Sequence, residues 1–153
     1  MNFAMVTGAA LLTVIVVHGA TFFIARRVGR YNVVDIAWGI GFVAVAAVVA
    51  ALGSGDLFRR TLVLALTAVW GLRLAGFLYV RTNGKGEDPR YRDLLRGDSS
   101  AGTVIRKVFV VQAAATWFVS LPLQLSATLG PTASAIRARA DRRRDSVDNG
   151  NDF

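Results

Sequence analysis

The sequence predicts an all-α, polytopic membrane bundle of about four transmembrane helices followed by a disordered C-terminal tail. Three observations carry this. Hydrophobic residues make up 54% of the 153 positions, the mean hydropathy is positive, and charge gathers in a few short stretches instead of alternating along helical faces. Helices solvated by lipid have that distribution; a soluble domain with a single core does not.

Four apolar spans follow, at about 4–25, 33–53, 61–80 and 108–129, each near the roughly 20 residues that cross about 30 Å of hydrocarbon. The first has no basic segment before it, is too long for the apolar part of a signal peptide, and is followed by Arg26, Arg27 and Arg30. It therefore reads as a retained helix. The second carries Asp35 near its start, and the fourth carries Gln112, Pro122 and Gln124. Tilted, kinked or partly re-entrant geometries stay open for both. Residues 1–130 form the transmembrane domain in this reading. From 131 to 153 the chain is polar, with five arginines interrupted by acids, a composition that cannot bury enough apolar surface to order itself. The acids, and a lone aromatic at Phe153, argue against a nucleic-acid arm.

No cysteine is present, which removes disulfides, thiolate metal sites and Cys nucleophiles, and no metal site is expected. The first and third connections hold ten Lys and Arg, whereas the second connection and the tail hold seven. The positive-inside rule then puts the 81–107 loop in the cytoplasm and the N-terminus outside, as expected for a multi-pass protein of the inner cell membrane.

At 1.5 Å per helical residue, Arg73 lies roughly 12 Å and Asp35 roughly 7–8 Å in from the cytoplasmic side. His18 and Gln112 fall in the same half of the bilayer, so the four form a candidate polar cluster, with an Asp35–Arg73 pair as its expected centre. Asp35, Trp38 and Phe42 share one helical face, as do Trp70, Arg73 and Phe77, and Gly71 with Ala75 would admit a neighbouring helix closely. Two readings of the cluster stand: a structural lock between helices, and a polar pocket that meets a ligand. The loop TNGKGEDPRYRDLLRGDSSAGTVIRK is similarly double. It is neither a P-loop nor a Rossmann turn. It reads as a basic loop drawn to anionic headgroups, or as a site for cofactor phosphates at Arg81, Lys85, Arg90 and Tyr91.

The string WGLRLAGFLYVRTNGKGEDPRYRDL, with DIAWGIGF before it and VVQAAATWFVSLPLQ after it, resembles the N-terminal half of bacterial integral-membrane proteins of unknown function related to the steroid 5-alpha-reductase superfamily. The resemblance covers about residues 30–130. It implies an all-helical membrane fold and NADPH-dependent reduction of a double bond conjugated to a carbonyl in a lipid-like substrate, with hydride from the cofactor and a polar pocket that polarises the carbonyl. Members of that group continue through helices with an R-H-P-N-Y-type segment that this chain lacks; its sole histidine is His18. The sequence thus leads us to expect a truncated or frame-shifted product that binds NADPH weakly and is inactive alone. Two classes remain: a reductase-like membrane protein, and a non-catalytic small membrane scaffold or partner subunit. Membrane lipid is the expected surrounding, and a second polypeptide or a homo-oligomer could supply what is missing. Catalytic residues and substrate stay unassigned.

The orientation is testable with single cysteines. Externally added maleimide should label Asn2→Cys in intact cells and spare Ser99→Cys; the opposite pattern would invert the topology.

Overall fold

The computed structural model describes residues 2–98 and 100–130; the tail expected to be disordered lies outside them. Its helices are α1 (Phe3–Val28), α2 (Val33–Leu52), α3 (Leu57–Thr82), α4 (Pro89–Leu95), α5 (Ala101–Val104), α6 (Val110–Val119) and α7 (Leu121–Thr128). A π-helical turn, Ile105–Phe109, joins α5 to α6, and no strand occurs among the described residues. Helices α1, α2 and α3 and the continuous stretch Ala101–Thr128 are each long and apolar enough to cross a membrane.

Local sequence sets the ends. The Asn2 side chain accepts from the Met5 N–H at 3.0 Å and starts α1, which stops at Gly29 in the left-handed region with φ 71°. Asp56 caps α3 and Asp88 caps α4, each accepting a first-turn N–H, as N-cap carboxylates do. Two expected boundaries shift. Helix α3 begins at Leu57 instead of 61, because Arg59 and Arg60 lie inside the helix and turn their side chains back onto neighbouring backbone. The fourth span begins at Ala101 instead of 108, with Arg106 and Lys107 in the π turn. Pro122 sits in the first turn of α7, where its missing N–H removes no helical bond. The chain bends there at Ser120, whose hydroxyl donates to the Trp117 carbonyl at 2.8 Å.

Helix α2 is the centre of the bundle. It packs on α1 along one side and on α3 along the other, while α6 and α7 lie across α1 and α2. Near the charged loop, Ala25, Val34, Val104 and Val108 are buried beneath Tyr91 and Leu95. Towards the other end Val6, Ala10 and Val14 pack on Val45, Val49 and Ala127. Helix α3 is the least buried of the four spans.

The α2–α3 crossing rests on two glycines. A Cβ at Gly39 would lie 2.3 Å from the Gly71 carbonyl oxygen, and one at Gly71 would lie 2.6 Å from the Gly39 oxygen. Backbone meets backbone there, with Ala75 alongside, so the close approach expected at Gly71 and Ala75 is present. Gly39→Ala or Gly71→Ala should force the helices apart and cost about 1–3 kcal/mol. Gly8→Ala, in open space on α1, should be neutral or slightly stabilising through helix propensity. Thermal unfolding in detergent would separate these outcomes, and equal melting for all three variants would refute the crossing.

Candidate functional site

The polar groups cluster where the 83–88 loop folds back over the start of α2. Val33, the first residue of α2, follows Asn32, which makes no side-chain cap. The missing cap comes from the loop: the Glu87 carboxylate accepts from the Tyr31 N–H and from the Asn32 N–H at 3.0 Å. A carboxylate at a helix N-terminus satisfies orphan donors and meets the positive end of the helix dipole. The Arg30 guanidinium in turn donates to the carbonyls of Thr82, at 2.9 Å, and Lys85, at 2.5 Å, at the C-terminal end of α3. Two charges of opposite sign therefore cross between the α1–α2 turn and the loop.

Asp35, in the first turn of α2, accepts from the Tyr91 hydroxyl at 2.5 Å and from the Arg90 guanidinium at 3.2 Å. Tyr91 is buried and Arg90 is largely exposed. Burial, reinforced by the Asp35 hydrogen bond, pushes the Tyr91 phenol above its ordinary value, while the Gln112 side chain opposes the rise. The phenol thus remains a donor at all physiological pH. Arg90 also holds Asp88 at 2.8 Å, and this hydrogen bond lowers the Asp88 carboxyl to about 2. Because that group is depressed in the fold, its stabilisation of α4 is complete above the ordinary carboxylate range and fades as pH falls towards 2.

The expected Asp35–Arg73 pair is corrected by this geometry. Asp35 is taken by α4, which the sequence did not foresee, whereas Arg73 is exposed on α3 and has no hydrogen-bond or ion-pair partner among the described residues. Arg73 instead borders a shallow hollow with Trp70, Leu74 and Phe77. Of the expected polar cluster, Asp35 and Gln112 meet at Tyr91. His18 is buried on α1, its Nδ1–H donating to the Val14 carbonyl at 3.0 Å, and its Nε2 has no partner. The buried indole N–H of Trp38 is likewise unpaired.

The four residues expected to meet a cofactor also divide. Arg90 and Tyr91 are engaged by Asp35 and Asp88. The side chains of Arg81 and Lys85 are exposed and form no ion pair among the described residues. Arg92, not singled out from sequence, lines an open hollow of about 370 Å³ with Tyr31, Glu87 and Leu95. Sequence reading also missed the capping roles of Glu87 and Arg30, although an acid directly after a glycine and an arginine beside a helix end were the available signals. At the far end of the bundle, Thr7 donates to Gln124, whose amide donates to Ser120 at 2.9 Å. No group of three or more metal-binding side chains occurs among the described residues.

A double-mutant cycle tests the clamp. Asp35→Asn and Tyr91→Phe should each destabilise the protein and show a coupling of about 1 kcal/mol, whereas Asp35→Asn with Arg73→Leu should be additive. Coupling in the second cycle and none in the first would restore the pairing expected from sequence.

Comparison with known proteins bears on the same residues. A family described as "Protein of unknown function (DUF1295)" matches residues 21–140, which includes the whole clamp. No curated protein and no solved structure matches the chain.

Proposed function

Because the chain belongs to the DUF1295 family, we propose that it is a membrane-embedded, steroid 5-alpha-reductase-like protein whose clamped loop attracts the phosphates of NADPH. The observation that carries this reading is the division of labour in the loop. Glu87, Arg90 and Tyr91 are consumed in fixing the loop and α4 to α2, and Asp88 in capping α4 and holding Arg90, while Arg81, Lys85 and Arg92 remain exposed without ion-pair partners among the described residues. Mobile basic loops attract anions; basic groups on a fixed frame do so with less entropy lost on binding. The hollow beside Arg92, at about 370 Å³, is of a size that takes part of a ligand.

The fit to the cofactor is partial. Arg81, Lys85 and Arg92 suit its phosphates, whereas Arg90 and Tyr91 are withdrawn from the expected set by their own partners. When bound, NADPH supplies hydride to a double bond conjugated to a carbonyl in a lipid-like acceptor. The described residues would hold the phosphates and keep the loop registered on α2; none is assigned to the nicotinamide ring. The second reading, a non-catalytic membrane scaffold or partner subunit, draws on the same clamp, since every bond in it also serves helix packing.

Titration of the detergent-purified chain with NADPH, followed by cofactor fluorescence, separates the two. Loose binding should weaken markedly between about 0.01 and about 0.15 M salt, as the screening length falls from about 30 to about 8 Å. Arg81→Ala and Lys85→Ala should each weaken it further, and Arg73→Leu should not. Absence of binding at low salt would favour the scaffold, and tight salt-resistant binding would reveal a ring pocket.

A further inference from the structure

We propose that the outward face of α3 is a docking seam for a transmembrane helix of a separate polypeptide, one that carries a carboxylate opposite Arg73. Helix α3 touches α2 along its inner side and α7 near its start, and its outer face is bare. Along that face Leu62, Leu66, Val69, Arg73, Gly76 and Val80 are spaced alternately by four and three residues, and all are exposed. This is the spacing of a seam that packs against a second helix with a left-handed crossing. A Cβ at Gly76 would meet nothing within 4 Å, which leaves room for close approach of a partner backbone.

Arg73 decides what the partner must carry. It sits nine residues before the C-terminal end of a 26-residue helix, about 13 Å along the axis and well inside the hydrocarbon of a bilayer about 30 Å thick. Helical Cα–Cβ bonds tilt towards the N-terminus, here away from the nearer interface, so escape of the guanidinium to water works against the backbone geometry. Nothing among the described residues neutralises it. An arginine so placed is expected to face a partner or a polar cavity. The hollow around it, with Trp70, Leu74 and Phe77, is about 200 Å³, below the range of ligand pockets and suited to one side chain entering from a facing helix. A second copy of this chain does not fit. Two copies related by an axis along the membrane normal would bring Arg73 against Arg73 at the same depth.

The test uses the full chain in vesicles of neutral phosphatidylcholine. With no native cysteine, a donor dye goes on Asn83→Cys, and energy transfer is read to an acceptor-labelled Leu/Ala transmembrane peptide bearing one Glu at matched depth. The Glu peptide should associate about three- to thirtyfold more strongly than its Gln counterpart, the range that interhelical polar contacts give. Arg73→Leu should erase the difference, and Arg73→Lys should keep part of it. Because the Gln peptide is tested on the unmodified chain, misfolding of a variant cannot imitate the result. Equal transfer from both peptides would overturn the proposal. So would Arg73-dependent transfer between copies of the chain alone, or loss of the Glu preference on adding phosphatidylglycerol, which would assign Arg73 to a second copy or to anionic lipid. NADPH binding is not read in this experiment, so its outcome is independent of the function proposed above.

Discussion

The bundle depends on closing helix ends that a membrane leaves unsolvated. Each α-helix leaves orphan N–H groups at its start and orphan carbonyls at its end, and near hydrocarbon water is a poor substitute partner. Here a charged side chain from another element meets several of these ends. Glu87 covers the start of α2, Arg30 covers the end of α3, Arg60 donates to Ala50 and Gly53 at the end of α2, and Arg59 donates to Ser126 and Leu129 at the end of α7. The signs follow the helix dipole throughout: a carboxylate at an N-terminus, guanidinium groups at C-termini. Because each cap bridges two elements, satisfying the backbone also fixes which helices are neighbours.

That constraint explains why the charged loop is built as it is. Gly84 adopts a positive φ of 76°, which turns the chain after α3 so that Glu87 can reach the Asn32 N–H. Asp88 then starts α4 and Pro89 stands in its first turn, where proline is tolerated. One turn of helix places Arg90 and Tyr91 against Asp35. A run that looks in sequence like a dense set of ligand-binding groups is largely an internal fastening. The ion pair with Arg90 is solvent-exposed and adds little; the buried Tyr91 hydroxyl is the stronger partner, because removing it would leave Asp35 without its inward donor.

The four apolar helices and the small-residue crossing were legible in sequence, since they depend on composition and on residue spacing. The partner of Asp35 was not, because depth does not give azimuth. Trp70, Arg73 and Phe77 do share a face, as their spacing requires, but that face turns away from Asp35, and Trp70 reaches back only far enough to set its ring against Phe42 at 5.5 Å. The decisive missing element was α4: seven residues with no long apolar period to announce them, ordered by a cap and a proline and by burial of Tyr91 and Leu95.

Capping also sorts the remaining charges. A side chain that closes a helix end cannot leave it for a ligand without exposing backbone groups, at a cost of about 1–3 kcal/mol for each buried group left unsatisfied. Arg30, Arg59, Arg60 and Glu87 are held in this way, and Arg90 is held by two carboxylates. Arg81, Lys85 and Arg92 near the clamp and Arg73 on α3 carry no such duty among the described residues. Arg81 stands in the last turn of α3 and Lys85 and Arg92 lie beyond that helix, where an exposed cation costs little and attracts anions at long range. Arg73 lies at a depth where an unpaired cation is costly. The same chemical group therefore poses two different questions at two depths, recruitment of a soluble anion at the surface and neutralisation by a fixed partner within the bilayer.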